Sequence, residues 1–267
     1  QRCRHDLFVR HEAIDHTPFQ RLGRGDTLAQ QHHLHGARTA NTFGQQPTGT
    51  TVWHEANPRE RLQKECTFSC HDEIGGQAEA QAAAAALGMA YVTGVEISVT
   101  FAGETVHILG FGFDPHEPRL VQGLAQLRAG RTARAQGMGE SLARVGIHGA
   151  YEGATAYAAN PELVSRTHFA RFLVERGHCS SVHEVFTRYL KEGKPGFVPH
   201  RWAGLGEALA WVHGAGGVTA IAHPARYRFT PTEEYALFSE FQAHGGQGVE
   251  VTCGSHFPDE VTRYADM

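Results

Sequence analysis

The chain has 267 residues, a formal net charge of −4 at neutral pH and five cysteines. That length buries one large core without disulfides and argues against a second full domain, while the mild acidity excludes the basic field that drives sequence-independent binding to duplex nucleic acid. No apolar run reaches the roughly 18 residues of a membrane span, and positions 1–10 carry no signal-peptide apolar segment. The expected location is the cytoplasm, where scattered thiols stay reduced.

Residues 1–70 differ in kind from the rest. Twelve of them are Leu, Ile, Val or Phe, about 17%, below the roughly 20% at which a segment usually builds a core. They hold seven His, seven Gln and eight Arg against one Lys, with no sustained periodicity. This segment is expected to be disordered, or to be an out-of-frame translation joined to a genuine domain near His71. Both ends read as fragment ends, since no Met opens the chain and Asp266-Met267 stop within a helical pattern.

From Gly75 onward the order becomes regular. Positions 77–87, with an alanine run at 82–86, predict a helix closed by Gly88. Strands are predicted over 90–99 and 104–113, joined by a tight turn at Ala102-Gly103. Helices are predicted over 120–145, 166–176, 182–191, 205–214 and 232–243, and strands over 218–222 and 248–252. Alternating strands and helices predict parallel pairing with crossover helices. The helical stretch at about 115–200 interrupts the alternation and reads as an insertion or cap over the mouth of a barrel.

Four residues carry metal-ligating chemistry, and three of them follow or lie within apolar, β-branched runs: His71, Glu96, His107 and His223. Imidazole and carboxylate together suit Mn, Zn or Fe(II), and a carboxylate such as Glu96 can bridge two cations. Each also has a plainer reading: His107 as a satisfied histidine in an apolar strand, His223 before Pro224 as a turn. Cys66, Cys70 and His71 lack the second ligand pair that a structural zinc needs. Arg131 and Arg134, three apart on one helix face, could aim two guanidinium groups at one anion or simply form an exposed basic face. Arg166 and His168 open the next helix, where free N–H groups favour anions. Arg226 and Lys194 are further candidates, although Gly193-Lys194-Pro195 lacks the glycine pattern of a phosphate-cradling loop.

These segments together resemble the PHP (polymerase and histidinol phosphatase) superfamily, in particular its small phosphoesterases of the 3',5'-nucleoside bisphosphate phosphatase and 5'-3' exoribonuclease type. The resemblance rests on His71-Asp72-Glu73-Ile74-Gly75-Gly76, Gly94-Val95-Glu96-Ile97-Ser98, His107-Ile108-Leu109-Gly110-Phe111-Gly112-Phe113-Asp114, Arg166-Thr167-His168-Phe169-Ala170-Arg171, Gly193-Lys194-Pro195 and Ala222-His223-Pro224-Ala225-Arg226-Tyr227. It implies an α/β fold, a distorted (β/α)7 barrel, here incomplete at both ends, spanning 71–267. It further implies divalent metal ions, Mn2+ first and Zn2+, Fe2+ or Mg2+ as alternatives. His71, Glu96, His107 and His223 would be the ligands, Glu96 and His223 the catalytic pair, and Arg131, Arg134, Arg166 and His168 the substrate contacts. The implied reaction is hydrolysis of phosphate monoesters of nucleotides or short oligonucleotides.

The departures are specific. The family opens with Asp-x-His-x-His-Ser, which nothing here reproduces; His33-Leu34-His35 has the alternate spacing but no following Asp. Cys70 stands where the family has Asp before the histidine, and Gly254-Ser255-His256 does not replace the family's closing Ser-Asp-x-His. A catalytically impaired remnant, binding metal weakly, is therefore the rival expectation. An accessory module of a polymerase fits less well, because the helical insertion and the Gly-Lys-Pro loop match the small stand-alone enzymes.

Overall fold

The computed structural model describes residues 10–11, 50–54 and 65–267. Strands β1 (Arg10–His11), β2 (Thr50–His54) and β3 (Glu65–Ser69) precede α1 (Gln77–Ala86), β4 (Ala90–Phe101) and β5 (Glu104–Phe111). Then come α2 (Pro118–Ala143), α3 (Ala150–Thr155), α4 (Arg166–Glu175), α5 (Val182–Val185) and α6 (Leu205–Gly214). The chain closes with β6 (Val218–Ile221), α7 (Pro231–Ala243), β7 (Gly248–Val249), β8 (Thr252–Cys253) and α8 (Pro258–Ala265). The expectation for the other positions of 1–70, His33 and His35 included, lies outside the described residues.

The strands form one sheet in the order β7-β6-β5-β4-β3-β2-β1-β8, and among the described residues no ladder closes it. The expected parallel pairing holds only in part, and the sheet is mixed. β3 and β4 are parallel, as are β6 and β7, but β5 runs antiparallel to both β4 and β6. For β4 and β5 the cause is local: Ala102 and Gly103 both take positive φ, 48° and 83°, and a two-residue turn can only return the chain antiparallel. The expected helix at 182–191 is α5 followed by a π-helical turn, Phe186–Leu190. The expected strand at 248–252 is divided by Glu250 and Val251 into β7 and β8.

Local chemistry accounts for the main helices. In α1 the alanine run supplies propensity, and Gly88 at φ 66° turns the chain so that Met89 N–H reaches Ala84 O at 2.9 Å. α2 starts with Pro118 in its first turn and the Glu117 carboxylate accepting Leu120 N–H at 2.7 Å. At 26 residues it runs about 39 Å and serves two cores in turn. Leu120, Leu124 and Leu127 join Val95, Ile97 and Leu209 between sheet and helices. Ala135, Met138 and Leu142 join Phe169, Leu173 and Leu190 in a second core made with α3 and α4. Arg128, Arg131 and Arg134 occupy the middle of α2, where neither core claims the helix. Among the described residues no helix is long and apolar enough to cross a membrane.

Candidate metal centre

Strand register brings the four predicted residues to one place. His71 bridges in parallel to Glu96. Glu96 and Ser98 share a face of β4, and His107 lies opposite Ser98 on β5. His223 follows β6, whose extension is held by Ala222 N–H donating to His107 O at 3.0 Å. Glu96 is buried, His223 is nearly so, His107 is partly exposed and His71 lies at the rim, its side chain 48% exposed.

His71, Glu96 and His107 offer atoms within 4.8 Å of one another that could hold a metal ion, and His223 stands beside them. His107 Nδ1 lies 2.9 Å and His223 Nε2 3.2 Å from Glu96 Oε1, and the two ring nitrogens are 3.1 Å apart. Adjacent ligands on an octahedral ion with bonds of about 2.1 Å are separated by about 3 Å, so these three atoms match one face of such a sphere. The other carboxylate oxygen, Oε2, faces His71 Nδ1 at 3.6 Å. Glu96 thus presents one oxygen to each of two imidazole positions. Burial alone would raise its pKa; the charge on His71 and the hydrogen bonds from His107 and His223 outweigh burial and hold it well below the usual range. Burial pushes His223 down, which keeps its imidazole neutral and able to ligate.

Residues that the sequence reading gave no role hold these ligands. Tyr227 Oη accepts His107 N–H at 2.8 Å and donates to Ala222 O at 2.8 Å, tying together the backbones that carry two of the four. Burial raises the Tyr227 pKa, so the phenol keeps its proton. His223 sits at φ 29°, a strained value for a residue other than glycine, and its N–H donates to Glu250 Oε2 at 2.6 Å. Burial pushes Glu250 up to about 8.

The second predicted group, the cations, gathers around Arg131 and Arg134, and Arg131 reaches Ser98. Arg131 Nη2 bonds Asp72 Oδ2 and lies 3.2 Å from Ser98 Oγ, and its guanidinium stacks 4.6 Å from the Trp202 ring centroid. Arg134 donates from Nε to Val198 O at 3.1 Å, and burial together with the charges of Arg166 and Arg131 lowers its pKa to about 10. Burial likewise lowers Arg166. His168 Nδ1 accepts the Ser165 N–H at 3.0 Å as the cap of α4, so the neutral ring carries its proton on Nε2, a donor available to an anion. Burial, Arg171 and Arg131 lower the His168 pKa. His200 joins this group, lowered by burial and then by Arg134 and Arg131. Arg226 and Lys194 are exposed, and no described contact brings Lys194 to the cluster.

No signal within a single motif marks Glu250, His200 or Trp202, because each acts through a contact distant in sequence. Asp72, Ser98 and Tyr227 stand inside the recognised motifs, and only their contacts give them roles.

No family-level sequence model matches the chain. It is 50% identical over 195 residues to a 3',5'-nucleoside bisphosphate phosphatase of Chromobacterium violaceum, covering 73% of this chain and 68% of that protein. It is 38% identical over 199 residues to the 5'-3' exoribonuclease Rnm of Escherichia coli K12, covering 74% and 68%. Among solved structures it resembles an amidohydrolase from C. violaceum with bound sulfate and no metal, at 49% identity and a TM-score of 0.70, covering 74% and 70%. It also resembles a Bifidobacterium adolescentis protein assigned to the metal-dependent phosphoesterases, at 26% identity and a TM-score of 0.64, covering 75% and 71%. With half of its aligned residues shared over two thirds of a nucleotide phosphatase, and with imidazoles gathered on both sides of one carboxylate, this chain belongs to the PHP-type metal-dependent phosphoesterases.

Proposed function

We propose that the chain hydrolyses phosphate esters of nucleotides, with 3',5'-nucleoside bisphosphates or short 5'-phosphorylated oligoribonucleotides as substrates. The observation that carries this reading is the placement of Glu96, whose two oxygens face separate imidazole groups while the Arg131 guanidinium stands two residues along the same strand face, at Ser98. His71, Glu96, His107 and His223 would hold divalent cations, Mn2+ first among them. When bound, such ions lower the pKa of water and offset charge on phosphoryl oxygens. The protein's own part is geometric. Glu96 spans the two positions, Tyr227 and Glu250 fix the backbones of His107 and His223, and Arg131, Arg134, Arg166 and His168 Nε2 receive the phosphate.

The finer architecture belongs to the same reading. β7 and β8 end the sheet on opposite sides yet are separated only by Glu250 and Val251, a span of at most about 7 Å. This supports a sheet curled into a distorted barrel whose mouth carries the site, with 115–200 as an insertion around its own core. A cytoplasmic location suits nucleotide substrates.

Cys70, in the position where the family carries Asp, favours the rival reading of an impaired enzyme. Release of inorganic phosphate from adenosine 3',5'-bisphosphate by the full chain, with Mn2+ and with chelator, separates the two. Chelator-sensitive release is expected. Weak Mn2+ binding with no release from either the bisphosphate or a 5'-phosphorylated oligoribonucleotide would leave the impaired reading standing.

A further inference from the structure

Asp72 follows His71, has no solvent exposure and sits at φ 53°. A left-handed backbone costs a residue other than glycine about 1 kcal/mol or more, and burying a carboxylate costs far more unless its acceptors are filled. They are filled here. Ser98 N–H donates to Oδ1 at 2.7 Å, Ser98 Oγ to Oδ2 at 2.9 Å, and Arg131 Nη2 to Oδ2. The backbone of Asp72 is held as well: its N–H donates to Glu96 O at 2.9 Å, and its carbonyl accepts Arg128 Nη1 at 2.9 Å.

The same carboxylate limits Arg131. A guanidinium is planar, so pinning one nitrogen to Asp72 and laying one face on Trp202 fixes where its other N–H groups point. Arg131 Nε is buried and has no hydrogen-bond acceptor among the described residues. A buried donor left unfilled costs stability unless a ligand supplies an acceptor.

We propose that Asp72 is a positioning residue. It sets the plane of the Arg131 guanidinium toward one anion position and, through its own backbone, keeps His71 level with Glu96, so a single residue fixes the spacing between phosphate and metal subsites. This rests on the reading of Arg131 as a phosphate contact given above. A salt bridge that merely stapled α2 to the sheet would register in thermal stability and leave anion affinity untouched.

The test is calorimetric binding of inorganic phosphate to the metal-stripped full chain and to Asp72→Asn, Arg131→Met and the double variant. The asparagine keeps an acceptor for the Ser98 amide but turns an NH2 toward Arg131. Asp72→Asn is expected to weaken phosphate about tenfold, the loss of one charge-assisted bond's worth of orientation. Arg131→Met should weaken it at least as much, and the double variant should be no weaker than Arg131→Met alone. Asp72→Asn within twofold of the parent, or losses that multiply in the double variant, would overturn the proposal while the Arg131 reading stands. An Arg131→Met protein with parental affinity would sink both. Should Asp72→Asn fail to fold, Ser98→Ala removes only the hydroxyl that touches both partners. It should weaken phosphate two- to threefold in the parent and not at all beside Arg131→Met, and the absence of that difference would also overturn the proposal.

Discussion

The imidazole–carboxylate cluster and the arginine cluster are neighbours built on different principles. The first hangs on strand ends: its side chains are short, and the ladder between β4 and β5, extended to Ala222, sets their separations before any side chain bonds another. The second hangs on α2 and α4, its side chains are long, and each cation is aimed by a specific acceptor or ring, Asp72 and Trp202 for Arg131 and Val198 O for Arg134. Backbone register is shared among many hydrogen bonds, whereas an aimed guanidinium depends on one or two. Damage to the helical layer should therefore reach substrate binding and spare metal binding, while damage to the strand-end cluster should abolish both metal binding and chemistry.

The largest effect is expected from Glu96→Gln. An amide presents one oxygen where the carboxylate presents two, so Mn2+ affinity should fall by more than the roughly 10–100-fold that losing a supporting partner costs, and phosphate release should vanish. A metal titration and a phosphate assay read this together, and near-parental Mn2+ affinity would remove Glu96 from the centre. Arg134→Met should raise KM for a phosphate ester about tenfold with Mn2+ affinity within twofold of the parent; a parallel loss of Mn2+ would erase the distinction between the clusters. Gly153→Ala attacks the helical core alone, since an added Cβ would lie 2.1 Å from Phe172 Cδ2. It should cost about 1–3 kcal/mol of stability by overpacking, lowering the thermal midpoint and weakening substrate through α4 while leaving Mn2+ binding intact.

The smallest effect concerns acid. Ser180 N–H and Oγ and Arg188 hold Glu184 down at about 2, against an unfolded value of about 4.3. A depressed carboxylate stabilises the fold fully above the unfolded value and loses that contribution as pH falls through the folded one. Glu184→Gln should therefore melt slightly below the parent at pH 7, with the gap closing between about pH 5 and pH 2. A gap that widened on acidification would mean that these bonds do not stabilise the helical layer.

The sequence made some of this readable because the signals were local. An alanine run ending at Gly88 and a turn at Ala102-Gly103 need no distant partner to be recognised, and they stand where they were expected. His71, Glu96, His107 and His223 were conspicuous as ligating types, three of them following or within apolar runs, and strand register brings them to one place. What stayed hidden depends on contacts across long separations. The antiparallel pairing of β5 with β6 spans the whole helical stretch between them. Asp72 reads as a motif letter until Arg131 and Ser98 are seen to converge on it, and Glu250 reads as a strand residue until the backbone of His223 turns toward it.

The brevity of β7 and β8 has a consequence for the behaviour of the molecule among its own copies. The described sheet ends on both sides in strands of two residues each. A long bare margin would offer a second molecule a row of free amides and carbonyls onto which to add a strand, the usual beginning of fibrillar association. Two residues offer too little: one margin passes through Glu250 and Val251 to the other, which ends at Cys253 ahead of α8. The same six-residue stretch that carries Glu250 beneath His223 thus also guards the sheet against recruitment into aggregates.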